Sequence, residues 1–481
     1  MINSKVVFKV ISRNMFIMSG ALLVCLPVSL IYSEPVYWPF FLSSGIAFTA
    51  GLFFYILGNK QLEIGALYRK DAYITVTLSW LFISLIGCLP YIFSGAISSF
   101  VDAFFESVSG FTTTGSSILV DIESLPKSIL FWRSLTHWIG GIGIIVLVIV
   151  IMPTLQMGGY HLFTLESSLQ EKIQPQIKDV GKRLLLIYVG LTVAETGLLL
   201  LGGMNLFESV CHSFGTVATG GFSPKNSSIA NYSPYIQYVI MAFMLLAGTN
   251  FIIHYYLLKR NFRKVGENEE FKFYVLVVII IGVAVSSVLY IKMQKPAEES
   301  FREGFFQVIS IISCTGFATA DYLTWPVYAW VILFLAMFLG GSTGSTAGGI
   351  KMVRHLILLK NILRSVRQIT IPNAVLLVKL NKKALSNESN NSILTFIFNY
   401  FLVFAAGTFI LLFIGLDVTT AGSAVATCMA GIGPGLGTVG PVSNFAHLPD
   451  FGKIILSFLM LLGRLEIYTI LLLFTPNFWR K

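Results

Sequence analysis

The stretch GFTTTGSS, residues 110–117, places mostly small and polar residues between two long apolar runs. The chain has 481 residues, of which 55% are hydrophobic and only 12% are charged. Soluble proteins carry about 25% charged residues, so the composition indicates a polytopic membrane protein. Irregular backbone at membrane depth must be buried in protein or line water. The stretch is therefore the first candidate for a functional site.

Ten apolar segments are long enough to cross a bilayer, which requires ~20 residues. They lie near residues 15–33, 38–58, 73–95, 126–152, 184–203, 234–258, 271–291, 326–358, 393–415 and 451–474. Lys5, Lys9 and Arg13 precede the first segment, but no small-residue cleavage site follows it. We therefore predict a retained span and not a cleaved signal peptide.

The distribution of basic residues predicts the orientation of the chain. With both termini in the cytoplasm, most of the 33 Lys and Arg residues fall in cytoplasmic loops, as the positive-inside rule requires. The largest excess lies in Lys351–Lys383, which holds eight basic residues. We attribute the net charge of +10 to this topology and expect no nucleic-acid binding.

Four spans share a spacing that indicates an internal repeat. Each begins with a proline and carries a glycine fourteen residues later, at Pro126 and Gly140, Pro234 and Gly248, Pro326 and Gly340, and Pro449 and Gly463. Each follows a segment too short to cross the bilayer and then a polar stretch, which we call a central loop. The central loops are TTTGSS (112–117), VATGGF (217–222), CTGFAT (314–319) and GIGPGLG (431–437), aligned on Gly115, Gly220, Gly316 and Gly433.

The sequence therefore predicts an all-α polytopic membrane protein with ten transmembrane helices and four re-entrant pore helices. Four pseudo-symmetric repeats of span, pore helix, loop and span surround one pore. Residues 1–70 form two extra N-terminal transmembrane helices. The repeats occupy residues 71–160, 161–260, 261–380 and 381–481, and the third contains an intramembrane gating loop.

Converging central loops favour a cation pathway. Four pseudo-equivalent loops around an axis form rings of carbonyl oxygens, which suit dehydrated monovalent cations. Glycine adopts positive φ readily, so successive carbonyls can turn to one side, and the negative ends of the pore helices point to the centre. Acidic residues near the outer mouth either raise the local cation concentration or serve as loop and cap residues. They are Asp102, Glu106, Asp121, Asp321 and Asp417.

The stretches FESVSGFTTTGSS, SFGTVATGGFS, SCTGFATADY and GIGPGLGTVGP, in this order, resemble the four selectivity filters of the Trk/Ktr/HKT superfamily of potassium transporters. The resemblance covers essentially the whole chain, and the two extra N-terminal spans are similar to those of the bacterial potassium-translocating subunits. It implies K⁺ as the transported ion, with Rb⁺ also accepted and no organic cofactor. It also implies a place in the bacterial cytoplasmic (inner) membrane.

By position, the resemblance implies that the ligands are backbone carbonyls of each loop glycine and the two residues before it. These are Thr113, Thr114 and Gly115; Ala218, Thr219 and Gly220; Cys314, Thr315 and Gly316; and Gly431, Ile432 and Gly433. A glycine at all four central positions resembles the potassium-selective members. Cys314 and Ile432 depart from the threonine-rich pattern, and we expect them to tune selectivity without abolishing it.

The stretch FLGGSTGSTAGGIK, residues 338–351, interrupts the span near residues 326–358. Each glycine within a helix costs roughly 1 kcal/mol relative to alanine. From the residues alone, a gate and a close helix-packing surface are equally supported. The resemblance implies an intramembrane loop that obstructs the pore. Its glycines are Gly340, Gly341, Gly344, Gly348 and Gly349.

Arg464 lies within the last span, in LLGRLEIYTI. An arginine at mid-membrane costs from ~2.5 to more than ~10 kcal/mol, so it normally faces a cavity or a partner. Glu466 points to a different face of a helix and is a poor partner for it. The resemblance implies that Arg464 is a positive barrier to cation flow. We expect Arg133 to snorkel or pair, and His137, His212 and Glu195 to be helix-packing groups.

The leading interpretation is potassium uptake through a channel-like pore gated from inside. The resemblance implies a homodimer and a TrkA-like cytosolic nucleotide-binding regulatory ring, docked on Lys351–Lys383 and on the Pro153–Arg183 linker. The alternative is an ion-coupled (H⁺ or Na⁺) secondary cation transporter. It is disfavoured because such transporters combine inverted repeats with central ion sites, whereas these repeats run in one orientation. No catalytic or metal-binding motif within the spans indicates an enzyme.

Overall fold

The computed structural model describes residues 3–58, 69–146 and 173–480. Their regular secondary structure is almost entirely helical. A two-stranded antiparallel hairpin, β1 (Lys379–Leu380) and β2 (Lys383–Ala384), is a small exception to the predicted all-α class. Polar backbone groups within a membrane must be satisfied internally, which is why the spans are helices.

Six helical segments of the described residues are long and apolar enough to cross a membrane. They are Ser4–Ile31, Tyr37–Leu57, Lys70–Phe93, Gly181–Leu201, Glu269–Lys292 and Asn387–Phe413. Two sharply bent helix pairs, Pro234–Ala247 with Phe251–Leu258 and Asp450–Arg464 with Tyr468–Phe474, raise the count to eight at most. The helical polytopic class is thus observed, whereas the count of ten spans plus four pore helices stays a prediction.

The N-terminal pair consists of α1 (Ser4–Leu23), its continuation α2 (Cys25–Ile31) and α3 (Tyr37–Leu57). Serine hydroxyls join α1 to α3: Ser12 donates to the carbonyl of Gly51 (2.8 Å), and Ser19 meets Ser44 (2.9 Å). Small residues and interhelical hydrogen bonds are the usual means of helix association in lipid. α1 also packs against α4, the first helix of the repeats.

The first repeat comprises α4 (Arg69–Gly87), α5 (Leu89–Phe93), α6 (Phe100–Phe111) and α7 (Lys127–Val146). The second comprises α8 (Ile173–Leu201), α9 (Leu206–Val217), α10 (Pro234–Ala247) and α11 (Phe251–Leu258), followed by the short α12 (Phe262–Glu267). The chain bends by 104° between α10 and α11. The predicted repeat boundaries stay predictions, and the one at residue 160 lies outside the described residues.

The third repeat comprises α13 (Glu269–Lys292), α14 (Ala297–Ile312) and α15 (Val327–Ala336). A non-helical segment, the 337–351 loop, then precedes α16 (Met352–Thr370). The fourth comprises α17 (Asn387–Phe413), α18 (Val418–Ala430) and α19 (Asp450–Arg464), with α20 (Tyr468–Leu471) and α21 (Pro476–Trp479) at the end.

Four short helices, α6, α9, α14 and α18, lie at the positions predicted for the pore helices and keep that name below. They have 12 to 16 residues, or about 18–24 Å at 1.5 Å per residue, which is less than the ~30 Å of hydrocarbon. Ser99, Asn205 and Asp417 cap three of them through their side chains. Every residue of α18 from Thr420 to Ala430 is buried, so these short helices are core elements.

The repeats are arranged cyclically. The second span of one repeat packs on the pore helix of the next: α7 on α9, α10 on α14, and α19 on α6. This arrangement brings the C-terminal ends of the pore helices, and with them the central loops, to one place.

Candidate ion pathway

Each central loop has the same backbone pattern of two left-handed residues separated by one residue with negative φ. The first left-handed residues are Thr113, Thr219, Cys314 and Gly431, with φ from 52° to 71°. The second are Gly115, Gly221, Gly316 and Gly433, with φ from 77° to 105°. Left-handed φ is uncommon outside glycine and costs roughly 1–2 kcal/mol per residue, so the surrounding packing must hold three non-glycine residues there. The alternating sign of φ turns successive carbonyls towards one side.

The second loop differs from the alignment on Gly220 by one residue. Gly220 has negative φ, and the left-handed glycine is Gly221. Ala218, which the sequence assigns to the ligand set, is instead the right-handed C-cap residue of α9. The geometric equivalents of Thr113, Thr114 and Gly115 are therefore Thr219, Gly220 and Gly221. The sequence did hold a signal for this choice, because Phe222 follows Gly221 as Phe317 follows Gly316, but the alignment on Gly220 did not use it.

Backbone hydrogen bonds support this correction independently. In each loop the middle residue donates its N–H to a carbonyl five residues earlier. The pairs are Thr114 with Ser109 (2.9 Å), Gly220 with Gly215 (2.7 Å), Thr315 with Ser310 (2.8 Å) and Ile432 with Thr427 (3.0 Å). Gly220 therefore occupies the middle position and not the third.

The four loops close into a ring. A Cβ placed on Gly115, Gly221 or Gly316 would overlap the carbonyl oxygen of the middle residue in the next loop, and on Gly433 it would lie 3.0 Å from that oxygen. The contacted carbonyls belong, in order, to Gly220, Thr315, Ile432 and Thr114. Each loop thus abuts the next, and the fourth abuts the first. Glycine is required because backbone approaches backbone without room for a side chain.

The second left-handed residue of each loop, which is a glycine in all four, lines one shared cavity of about 160 Å³. Hydrogen bonds join neighbouring repeats around this cavity. They are Arg133 Nη1 to Ser223 O (2.9 Å), Ile229 N to Ala318 O (3.1 Å), Tyr322 Oη to Gly435 O (2.7 Å) and Ser116 Oγ to Gly433 O (3.0 Å). At least one hydrogen bond therefore joins each of the four pairs of adjacent repeats around the ring.

A buried ion pair supports the first central loop. Arg133 Nε lies 2.6 Å from Glu106 Oε1, and the two side chains are 3% and 0% exposed. Glu106 also accepts the N–H of Ile118 (2.9 Å), and the Arg133 guanidinium stacks on Phe222 (3.5 Å). The pairing predicted as one option for Arg133 is confirmed. Because Glu106 is neutralised, it is not a free acid at the mouth.

The other four acidic residues at the predicted mouth also have partners. Asp102 lies 2.5 Å from Lys453 Nζ, and Asp321 and Asp417 accept N–H groups as cap residues. The amide of Asn226 lowers the pKa of Asp121, and hydrogen bonds from Thr420 lower that of Asp417. The interpretation as cap and loop residues therefore accounts for them, and both aspartates are ionised at neutral pH.

The 337–351 loop lies against the inner ends of the pore helices. The Thr346 hydroxyl donates to the carbonyls of Val217 (3.0 Å) and Ala247 (3.3 Å). A Cβ on Gly348 would overlap the carbonyl oxygen of Ala430, and one on Gly349 would lie 3.6 Å from Cys314 Sγ. The loop thus touches the ends of the second and fourth pore helices and the third central loop.

Hydrogen bonds hold this loop at its two ends and along one side. Gly340 N–H donates to Ile350 O (2.9 Å), and Met352 N–H donates to Gly341 O (3.1 Å). These two bonds join the beginning of the loop to its end. One side of the loop is hydrogen-bonded to the bend between α10 and α11. There Ser342 N–H donates to Gly248 O (2.8 Å), and Phe251 N–H donates to Gly344 O (3.1 Å).

Arg464 ends α19, directly before the 109° bend. It is 7% exposed, and its Nη1 donates to the carbonyl of Thr346 (2.9 Å). Its Nε and Nη2 have no hydrogen-bond partner among the described residues. Glu466 pairs with Arg354, which agrees with the prediction that it is a poor partner for Arg464. Arg464 and the 337–351 loop therefore form one assembly.

Sequence analysis missed one residue of this assembly, Glu270. Its Oε1 accepts the N–H groups of Thr343 (2.6 Å) and Val353 (3.1 Å). The available signal was a second consecutive glutamate at the start of an apolar span, in ENEEF. The resemblance gave that glutamate no role.

The remaining singled-out polar residues pack between helices. His137 Nδ1 lies 2.8 Å from Gly110 O, and both ring nitrogens of His212 have partners. The carboxylate of Glu195 is fully buried, and neither oxygen has a hydrogen-bond partner among the described residues. Within the described ranges, no group of three His, Cys, Asp or Glu side chains is placed to hold a metal ion.

Known proteins resemble this chain over nearly its whole length. The model of the TrkH family, described as cation transport protein, matches residues 44–481. The Trk system potassium uptake protein TrkH of Escherichia coli (strain K12) is 36% identical, with 99% of each chain covered. TrkG of the same strain is 34% identical, with 94% of each covered. The crystal structure of the potassium transporter TrkH from Vibrio parahaemolyticus superposes with a TM-score of 0.91 at 31% identity and covers 99% of each chain.

Proposed function

The chain belongs to the TrkH family of cation transport proteins, and from this membership we propose that it takes up potassium across the cytoplasmic membrane. Its relatives carry the name of Trk system potassium uptake proteins. The single observation that carries the proposal is the closed ring of four central loops, in which each glycine abuts a carbonyl of the next loop.

The ring offers three layers of backbone carbonyls to a dehydrated cation. In the structural register the layers are Thr113, Thr219, Cys314 and Gly431; Thr114, Gly220, Thr315 and Ile432; and Gly115, Gly221, Gly316 and Gly433. Carbonyl rings replace the hydration shell of K⁺ and of the similar Rb⁺. Side chains at Cys314 and Ile432 alter the packing behind the ring and leave the ligand type unchanged.

The 337–351 loop and Arg464 act as the gate. The loop lies beneath the ring, and the hydrogen bond from Arg464 to Thr346 brings a positive charge to it. Two guanidinium nitrogens without protein partners leave that charge uncompensated by the described residues. A cation leaving the ring meets both the backbone obstruction and Coulomb repulsion. Conduction requires the loop to leave this position.

A TrkA-like cytosolic nucleotide-binding ring controls the gate, and the protein acts as a homodimer with both termini in the cytoplasm. The basic Lys351–Lys383 segment is the docking surface. α16 begins one residue after the 337–351 loop, so a ring that moves α16 also moves the loop. Most of the Pro153–Arg183 linker, the other predicted docking segment, lies outside the described residues.

Coupling to H⁺ or Na⁺ is the second candidate. The observation that favours it is Glu195, a buried carboxylate with no hydrogen-bond partner among the described residues, because intramembrane carboxylates often relay protons. Rb⁺ uptake into liposomes at equal inner and outer Rb⁺ tests it. With the membrane potential clamped, net uptake driven by an imposed H⁺ or Na⁺ gradient supports coupling, and no net uptake supports a pore.

Flux through purified protein in liposomes tests the main proposal. We expect K⁺ and Rb⁺ to move down a gradient, with Na⁺ and Li⁺ much slower, and Arg464→Ala to raise the flux. Arg263→Ala is the matched control, since Arg263 is 87% exposed on a surface helix. Equal Na⁺ and K⁺ flux would refute the carbonyl filter, and an unchanged flux in Arg464→Ala would refute the barrier.

A further inference from the structure

Glu270 joins both ends of the 337–351 loop to the start of α13. It is 1% exposed. One carboxylate oxygen, Oε1, accepts the N–H of Thr343 within the loop and that of Val353 in the first turn of α16. The other oxygen has no partner among the described residues. A single oxygen therefore bridges the segment under the ring and the helix that follows it.

Capping of its own helix, α13, does not explain the position of this carboxylate. An acidic residue in a first helical turn ordinarily interacts with the free N–H groups there. In α13 the cap is supplied by Asn268, whose side chain accepts the N–H of Phe271 (2.7 Å). Glu270 instead turns to the loop, where hydrogen bonds to a carboxylate are roughly twice as strong as neutral ones.

The same turn of α13 is tied to the cytoplasmic β1–β2 hairpin. The side chain of Asn381, in the hairpin turn, accepts the N–H of Glu269 (2.9 Å). Lys360 of α16 bridges the Glu269 carboxylate and the carbonyl of Lys379. Lys382 and Lys383 of the hairpin are exposed. A short chain of contacts thus links a basic surface hairpin to the residue that holds the loop.

We propose that Glu270 is the positioning residue that keeps the 337–351 loop under the ring, and that the β1–β2 hairpin is the point at which a partner with an acidic surface releases it. This inference rests on the proposed function and names a regulatory contact within it. Binding that pulls the hairpin outward shifts Asn381 and the first turn of α13. Glu270 then loses Thr343 or Val353, and the loop is freed to move.

Glu270→Gln is the first test, because glutamine keeps the size of the side chain and removes its charge. We expect basal Rb⁺ flux into liposomes to rise about tenfold, which corresponds to about 1.4 kcal/mol, with the Rb⁺ to Na⁺ ratio unchanged. Glu267→Gln is the matched control, since Glu267 is 49% exposed and pairs only with exposed Arg263 among the described residues. An unchanged or lower flux in Glu270→Gln would overturn the inference.

Asn381→Gly tests the hairpin and needs no change in the buried site. Asn381 has φ 48°, so glycine keeps the turn and removes only the side-chain contact with α13. We expect basal flux to rise about threefold and the Glu270→Gln, Asn381→Gly double variant to rise no further than Glu270→Gln alone, because coupled sites are non-additive. Gln294→Gly, at an exposed residue with φ 54° in a different loop, is the control. Multiplicative effects would overturn the link between hairpin and Glu270.

Arg464→Ala separates failure of this inference from failure of the proposed function. If Arg464→Ala raises flux and Glu270→Gln does not, the gate stands and the role of Glu270 is wrong. If neither the unmodified protein nor Arg464→Ala passes Rb⁺, the proposed function fails and the inference fails with it. Should Glu270→Gln not fold, Asn381→Gly decides, and a flux equal to that of Gln294→Gly refutes the role of the hairpin.

Discussion

Replacing Gly221 with alanine tests the register of the second central loop. The new Cβ would lie closer than 3.0 Å to the carbonyl oxygen of Thr315, and Gly221 has φ 77°. Two penalties therefore coincide, a steric overlap with backbone and a left-handed conformation for a residue with a Cβ. Both act on the ring, because the displaced carbonyl belongs to its middle layer.

The conformational penalty alone is about 1–2 kcal/mol, which is a factor of about 5–30 in the population of the intact loop. The steric overlap adds to this conformational penalty. It involves the backbone of two neighbouring loops, which cannot move aside as a side chain can. Gly95→Ala isolates the first penalty, because Gly95 has φ 73° with no atom within 4 Å of its Cβ position. We expect Gly95→Ala to leave ion selectivity unchanged.

The assay is Rb⁺ and Na⁺ flux into liposomes with protein that elutes from size exclusion like the unmodified chain. We expect Gly221→Ala to lower the Rb⁺ to Na⁺ ratio at least tenfold, from the strain and overlap together. Gly220→Ala should lower it less, because its φ is not left-handed and its Cβ meets the His137 ring, a side chain. A normal ratio in Gly221→Ala with a lost ratio in Gly220→Ala would restore the register of the sequence alignment and refute this reasoning.

Two further predictions concern the ion pair and the loop. Glu106→Gln leaves the Arg133 charge buried and unpaired, so we expect about 3–5 kcal/mol of destabilisation, seen as a lower thermal-unfolding midpoint in detergent. Glu267→Gln, which breaks the exposed pair with Arg263, should cost less than about 1 kcal/mol, and equal shifts would contradict the role of burial. Gly348→Ala places a Cβ against the Ala430 carbonyl, so we expect the loop to be displaced and basal Rb⁺ flux to rise. Gly190→Ala, with open space at its Cβ and no left-handed φ, is its control, and an unchanged flux in Gly348→Ala would argue against obstruction by the loop.

Much of the architecture was predictable from short-range sequence patterns. Hydropathy identified the membrane class, and the Pro–Gly spacing identified the second spans. Two of those spacing glycines prove to be close-packing positions, since a Cβ on Gly140 or Gly463 would overlap the carbonyl of Phe111 or Met429. Arg464 was recognisable because a charge within an apolar run is expensive. Each of these signals depends on residues close together in the chain.

The contacts that sequence patterns did not supply join residues far apart in the chain. Gly221, for example, meets the carbonyl of Thr315 in the neighbouring repeat. The role of Glu270 depends on Thr343 and Val353, which are 73 and 83 residues away. The partner of Glu466 is Arg354, 112 residues away. No periodicity or spacing within one segment carries such information.

The sequence by itself therefore determined the class, the repeats and the composition of each central loop, because hydropathy and glycine content act locally. Only the tertiary structure decided the register of the ring, the cyclic order of its contacts and the residues that hold the 337–351 loop. Those features are contacts between backbones from different repeats, such as Gly316 against Ile432. Such contacts come into existence only when the four repeats pack around a common axis.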